Sequence, residues 1–302
     1  MNSYPKDPGC ASPPTRMVDP NGRPRVVRVG QPHTPWGDLY HWLLTLTWPG
    51  LVALVTVLYL AINALFAWGY VLGGDCIENA EPGSFADAFF FSIQTMSTIG
   101  YGAMHPKTIY ANTLVVMEIF IGILGVAMVT GLMFARFSRP TSRVMFSRVA
   151  VISTYNGVPT LMFRTANQRR NQILEANLRV VAVQSELNAE GHFMRRIRDL
   201  KLIRDETPIF GLSWLAMHTI DETSPLWGTT PKSLAEKETE IVVTLTGIDD
   251  TFSQTVHARH SYIASEILWD RAFVDIFFRC SDGRYAIDYN DFHKVESLSD
   301  GG

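Results

Sequence analysis

Two stretches of the chain are almost free of charge. No residue from Pro49 to Gly74 is charged, and Leu51 to Leu60 reads as one apolar run; from Thr108 to Ala135 the only charge is Glu118. A ~30 Å hydrocarbon layer takes about 20 helical residues, so both predict membrane-spanning helices, over 49–74 and 108–137. The second is long enough to tilt and project beyond the bilayer. Between them Phe85 to Ser97 is amphipathic, with Ser84 placed as an N-cap, which predicts a short helix over 84–97. Phe89, Phe90 and Phe91 could wedge that helix among its neighbours. After Phe146 the period changes to short alternating runs: Val149–Ser153, Thr160–Thr165, Leu178–Ser185, Phe193–Ile203, Leu212–Ile220, Glu240–Ile248, Thr255–Tyr262, Phe273–Cys280 and Tyr285–Tyr289. Asn156-Gly157 between the first two is a hairpin signal, and many short strands with turns predict a β-sandwich, with one short helix around Pro231–Lys237.

Directly after the amphipathic helix stands Thr98-Ile99-Gly100-Tyr101-Gly102. A loop of this composition between two spans reads as a potassium selectivity filter. The carbonyls of Thr98, Ile99, Gly100 and Tyr101 and the Thr98 hydroxyl would replace the water shell of K⁺. Successive carbonyls face one axis only if alternate residues take backbone angles that glycine tolerates, which accounts for Gly100 and Gly102. Ile99 and Tyr101 would then point away and brace the loop. The 84–97 helix, the pore helix of this reading, would aim its negative C-terminal end at the ion path. Non-helical backbone at membrane depth is tolerated only where it lines a protein-enclosed or water-filled cavity. One chain cannot enclose it, so a homotetramer is expected.

On the second span, helical spacing from Glu118 gives Gly122, Val126, Thr130 and Phe134 on one stripe. If that stripe lines a pore, Val126 and Thr130 border the cavity and a ring of Phe134 forms an apolar constriction that gates by dewetting. Gly122, Gly125 and Gly131 are candidate hinges, although small residues equally permit close packing in membranes. A carboxylate inside a span is read by default as functional or internally paired. Glu118 either concentrates cations or stiffens the filter from behind, with Gln94 and Thr95 as expected partners.

Charge fixes an orientation. Arg23, Arg25 and Arg28 precede the first span, Arg136, Arg139, Arg143 and Arg148 follow the second, and only Lys107 lies between. By the positive-inside rule both termini are cytoplasmic and the loop opens outward. Arg136, Arg139, Arg143 and Arg148 form a candidate anionic-lipid site, since each basic residue near a charged leaflet adds ~1 kcal/mol. Trp36, Tyr40, Trp42 and Trp48 lie where the membrane begins and predict an interfacial helix over 36–48, ended by Pro49. One longer helix with an aromatic belt is the alternative. The expected order is a disordered tail (1–35), that helix, a transmembrane pore domain (49–137), a basic linker (138–148), a sandwich (149–293) and a tail (294–302).

The 302 residues accommodate such a membrane unit and a soluble domain, and a net charge of −3 gives no support for a nucleic-acid partner. The polar N-terminal stretch up to about Gln31 has no apolar core of a signal peptide. Cys10, Cys76 and Cys280 are far apart, without disulfide or zinc spacing. His257 and His260 would face opposite sides of a strand, and no dinucleotide fingerprint, P-loop or catalytic triad stands out. No arginine-rich helix suggests a voltage sensor.

Trp48-Pro49, Ala88-Phe89-Phe90-Phe91-Ser92, Thr98-Ile99-Gly100-Tyr101-Gly102, Phe134-Ala135-Arg136-Phe137-Ser138-Arg139-Pro140 and Ala258-Arg259-His260-Ser261-Tyr262 together resemble the bacterial inward-rectifier potassium channels, the KirBac group. The likeness runs from about Trp36 to about Phe292. It implies a two-transmembrane-helix pore with re-entrant pore helix and filter, a slide helix, and an all-β immunoglobulin-like cytoplasmic sandwich, assembled as a homotetramer in the bacterial inner membrane. The implied function is passive K⁺ conduction, not enzymatic, with K⁺ ions in the filter as the only bound cofactor. Gating at the bundle crossing by Phe134 and modulation by anionic lipid and the cytoplasmic domain are also implied. The resemblance places Val126 where an acidic residue strengthens polyamine or Mg²⁺ block; being apolar, Val126 implies weak rectification. Gln94 stands where many inward rectifiers have Glu, Ala103 where many potassium channels have Asp, and Thr141 where eukaryotic relatives carry Lys. Gln94 and Ala103 keep a weakly selective cation channel as the competing reading. A two-span receptor or scaffold with a β-sandwich binding domain is a third, but it does not require a re-entrant filter between the spans.

Overall fold

The computed structural model describes residue 16, residues 39–139 and residues 142–298. They fall into two compact units, one holding 39–139 and the other Arg16 with 142–298. The expected N-terminal tail apart from Arg16, the start of the interfacial helix (36–38), Cys10, Arg23, Arg25, Arg28, Thr141 and the last residues of the C-terminal tail lie outside the described residues.

The first unit opens with α1 (Leu39–Thr45) and α2 (Trp48–Leu72). The break between them excludes one long helix, and it falls earlier than Pro49. Thr47 caps α2, its side chain accepting from Gly50 N at 3.3 Å, and Pro49 lies inside the first turn. Proline is tolerated there because its missing N–H would have no helical partner anyway. Pro49 therefore starts the outer helix and does not end the preceding one. At the other end α2 stops at Leu72, short of the expected Gly74. Gly73 caps it and Gly74 takes a left-handed φ of 67°. A Cβ on Gly73 would come within 2.6 Å of the Tyr110 ring, so only glycine fits.

A short strand β1 (Ile77–Glu78), α3 (Phe85–Met96), β2 (His105–Pro106) and α4 (Ile109–Phe137) complete this unit. Ser84 caps α3 by accepting from Asp87 N at 3.3 Å. Thr108 caps α4 in the same way through Ala111 N at 3.1 Å. Of the three phenylalanines only Phe91 is buried, edge-on against Tyr70 at 5.1 Å; Phe90 is exposed. The most apolar windows of α2 and α4 are only 22% and 11% buried, whereas a soluble core helix would be mostly buried. Their outward apolar faces suit lipid or neighbouring helices.

The second unit is a sandwich of two five-stranded sheets. Its strands are β3 (Val144–Phe146), β4 (Ala150–Tyr155), β5 (Val158–Asn167), β6 (Ile173–Leu187), β7 (Phe193–Leu200), β8 (Glu206–Phe210), β9 (Ser213–Thr219), β10 (Glu240–Asp249), β11 (Gln254–Ile263) and β12 (Ile267–Trp269). One sheet runs β12-β4-β5-β3 with β9 also on β5; the other runs β11-β10-β6-β7 with β8 also on β6. Leu161, Phe163, Leu178, Val180, Ile241, Val243 and Leu245 project from the two sheets into a shared core. Asn156 and Gly157, with φ of 51° and 83°, make the predicted hairpin turn. The short helix α5 (Pro231–Glu236) is also present, capped by Thr230.

Several boundaries differ from expectation. β3 pairs with β5 inside the expected basic linker, so sheet structure begins at Val144. The Phe273–Cys280 run divides into β13 (Arg271–Phe273) and β14 (Phe277–Arg279), turned where Asp275 accepts from Phe277 N at 2.9 Å. β14 pairs with β15 (Tyr285–Ile287), while β13 pairs with β16 (Val295–Ser297), in the expected C-terminal tail.

Candidate functional site

The chain between α2 and α4 folds back on itself. β1 and β2 pair at its base, Asn79 Nδ2 donates to Ala103 O at 2.8 Å, and the Lys107 ammonium lies 2.5 Å from Asp75. Inside this clip α3 leads into the Thr98–Gly102 loop. Left-handed φ values alternate along it: 55° at Thr98, 58° at Gly100 and 84° at Gly102. Such alternation is what an extended segment needs to turn successive carbonyls to one side. Thr98 was not anticipated. A β-branched residue with positive φ is an outlier, and such strain gathers where a side chain is kept for its chemistry.

The loop is tied to the last turn of α3. Thr98 N donates to Thr95 O at 3.0 Å and Ile99 N to Gln94 O at 2.8 Å. Gln94 and Thr95 therefore support the loop through their backbones, not through Glu118 as expected. Ile99 and Tyr101 are 47% and 74% exposed in the single chain, so the bracing expected of them is slight among the described residues.

Glu118 is fully buried. Its carboxylate accepts from Tyr70 Oη at 2.6 Å and from the Ser92 hydroxyl, so α2 and α3 supply the partners that the sequence reading assigned to Gln94 and Thr95. Ser92 Oγ also lies 3.0 Å from Asn63 Oδ1, and Asn63 Nδ2 reaches Met96 Sδ at 3.4 Å. These residues come from three helices. The readable signal was Asn63 with Tyr59 and Tyr70, polar side chains at helical spacing in an apolar span.

The stripe on α4 divides. Glu118 and Gly122 are buried against α2 and α3, and a Cβ on Gly122 would lie 2.9 Å from Met96 O. Gly122 is thus a packing glycine rather than a hinge, while Gly125 and Gly131 face open space in an unbroken helix. Val126, Thr130 and Phe134 are exposed in the single chain.

The four arginines do not act alike. Arg136 Nη1 donates to Leu43 O at 3.2 Å, its Nη2 to Leu46 O, and the guanidinium sits 4.6 Å from the centroid of the Trp48 ring. It is engaged by its own chain. Arg139 is exposed in the first unit, and Arg143 and Arg148 are exposed in the second.

In the sandwich, His257 Nδ1 lies 3.1 Å from Thr246 Oγ1, and His260 stacks on Phe146. Among the described residues no group of His, Cys, Asp and Glu is arranged for a metal, and Cys76 and Cys280 are free thiols.

Residues 144–300 match the family model described as the inward rectifier potassium channel C-terminal domain, and residues 51–139 match the one described as ion channel. The chain is similar to the inward rectifier potassium channel Kirbac3.1 of Paramagnetospirillum magnetotacticum, 48% identical over 95% of this chain and 99% of that protein. It is also similar to the mouse G protein-activated inward rectifier potassium channel 3, 32% identical over 95% of this chain and 80% of that one. With the mouse channel 2 it shares 35% identity over 74% of its own length and 54% of the relative's.

Proposed function

The chain belongs to the inward-rectifier potassium channels, a membrane family of ion channels and not enzymes, and from that premise we propose how its residues conduct and gate K⁺. Thr98, Ile99, Gly100 and Tyr101 present carbonyls, and Thr98 a hydroxyl, that replace the hydration shell of K⁺, and ions advance by knock-on between adjacent sites. The observation carrying this reading is the alternation of left-handed φ at Thr98, Gly100 and Gly102. Four chains enclose the loop, and Ile99 and Tyr101 pack between neighbours.

Glu118 holds the pore helix to the outer and inner helices and so stiffens the filter. Val126 and Thr130 border the cavity below it, and Phe134 closes the pore where inner helices cross. An apolar Val126 gives polyamines or Mg²⁺ little to bind, so rectification is weak. Both termini face the cytoplasm of the bacterial inner membrane, and Arg139, Arg143 and Arg148 meet its anionic lipids. K⁺ is the transported ion and the only ligand required.

The test is ⁸⁶Rb⁺ uptake driven by a K⁺ gradient into liposomes holding the purified protein, beside a Na⁺-gradient control and Ba²⁺ block. Barium-sensitive uptake with little Na⁺ permeation is the expected result. Equal Na⁺ and K⁺ flux would replace this reading with a weakly selective cation channel, the outcome that Gln94 and Ala103 keep open.

A further inference from the structure

The outer helix carries a row of polar side chains of which the conduction mechanism uses only the Glu118 partner, Tyr70. Tyr59, Asn63 and Tyr70 lie on one face of α2 at near-helical spacing, and all three turn toward α3 or its contacts. Tyr70 reaches Glu118. The other two reach the opposite end of the pore helix. Tyr59 Oη lies 2.6 Å from Ser97 Oγ, and Asn63 Nδ2 donates both to Met96 Sδ and to Tyr59 O, the latter at 2.8 Å.

Ser97 caps α3 and directly precedes Thr98. Its neighbour Met96 is pressed from the other side by Gly122, where no Cβ can be accommodated. The junction between pore helix and filter is therefore clasped between α2 and α4, and its polar contact comes from the outer helix. In the single chain 97–102 is otherwise exposed, so a hydroxyl fixed at 97 bears on the left-handed Thr98 next to it.

We propose that Tyr59 and Ser97 form a clasp by which the outer helix positions the cavity-side end of the filter. Tyr59 is a positioning residue: it touches no ion and acts through Ser97 on Thr98. The consequence is regulatory. A local shift of the outer helix at Tyr59 alters ion discrimination at the filter, a route distinct from the Phe134 constriction. The inference rests on reading Thr98–Gly102 as the filter.

Tyr59→Phe removes one oxygen and keeps the ring, and Ser97→Ala removes the matching hydroxyl, so neither alters packing by much. Both variants and the double variant are reconstituted in liposomes, and the K⁺/Na⁺ permeability ratio is read beside Ba²⁺-sensitive flux and tetramer thermal stability. Each single variant should lower the ratio roughly threefold to tenfold, the span of one interhelical membrane hydrogen bond. The double variant should fall no further, and Ser97→Thr, which retains a hydroxyl, should keep the wild-type ratio. A purely structural contact would lower thermal stability and leave the ratio unchanged, which would overturn the proposal, as would additive losses in the double variant. Absence of K⁺ preference in the wild type would instead remove the filter reading itself, so the two failures are distinct.

Discussion

Arg136 and Trp48 bind the C-terminal end of the inner helix to the start of the outer one: the guanidinium lies 4.6 Å from the centroid of the indole ring. The same guanidinium donates to the carbonyls of Leu43 and Leu46, at the end of α1. Helix C-termini leave carbonyls without partners, and a cation there also meets the negative end of the dipole. Arg136 thus joins three helices at one point.

Removing it should cost stability rather than lipid response. Arg136→Ala forfeits charge-assisted hydrogen bonds of about 1.5–3 kcal/mol each, and Arg136→Lys, which lacks the planar fork, should recover only part. The expected outcome is a lower thermal midpoint of the reconstituted protein with an unchanged anionic-lipid fraction for half-maximal flux. Gln at Arg139, Arg143 or Arg148 should do the reverse, raising that lipid fraction about fivefold each, the equivalent of ~1 kcal/mol. If Arg136→Ala shifted the lipid dependence as much as those three, its assignment to helix capping would fail.

Glu118 gives the next expectation. Replacing it by Ala strands the buried hydroxyl of Tyr70, at about 1–3 kcal/mol for an unsatisfied group, and leaves Ser92 only the Asn63 amide oxygen as acceptor. Glu118→Gln retains an acceptor and the side-chain volume. Flux assays should therefore show K⁺-selective uptake lost in Glu118→Ala, weakened in Glu118→Gln, and intermediate in Tyr70→Phe. Wild-type selectivity in all three would show that the carboxylate does not support the filter.

What the sequence made legible were features set by local pattern. The two spans, the Ser84 cap and the Asn156-Gly157 turn each depend on neighbours within a few residues, and each is present. The partners of Glu118 were not legible, because Tyr70 and Ser92 reach it from different helices and many side chains on those helices have compatible spacing. The left-handed Thr98 was hidden because β-branched residues seldom adopt that conformation. In the sandwich, β8 carries no clear strand pattern because Pro208 lies within it, yet it sits on a sheet edge where proline is tolerated. The parallel pairing of β12 with β4 joins segments remote in the chain and has no local signal.

The sandwich should lose stability in acid through His218. Its Nδ1 lies 2.7 Å from Lys201 O and its Nε2 2.8 Å from Ser224 Oγ, in a buried position. Burial pushes its pKa below the ordinary 6.5, while the Lys201 carbonyl and Asp221 offset this in part. The unfolded chain therefore binds a proton more readily than the fold does. Stability is full above about pH 6.5 and declines as pH falls from there toward the depressed folded value. His293, lowered by burial and by Arg148, acts in the same direction. Thermal midpoints measured from pH 8 to pH 5 should fall across that window, and His218→Gln should flatten the decline. An unchanged slope in that variant would assign the acid sensitivity elsewhere.

Two phenylalanines lie near the C-terminal end of the inner helix, and only one is free to close a pore. Phe137 packs on Trp48 at 4.8 Å between ring centroids, so its ring belongs to the joint that Arg136 makes. Phe134, one turn earlier, is 72% exposed in the single chain. Four such rings around an axis would expel water from a narrow passage, and ions cannot cross a dry apolar constriction without losing hydration. Shortening the ring should therefore raise flux, and a carboxylate should raise it further by keeping the passage wet. Uptake of ⁸⁶Rb⁺ measured without added anionic lipid should increase about threefold to tenfold in Phe134→Ala and more in Phe134→Asp, with Ba²⁺ sensitivity and the K⁺/Na⁺ ratio intact, because the filter is untouched. Phe137→Ala should instead lower thermal stability with little gain in flux. If Phe137→Ala opened the channel and the Phe134 variants did not, the constriction would have to be placed one turn lower, on the ring that contacts Trp48.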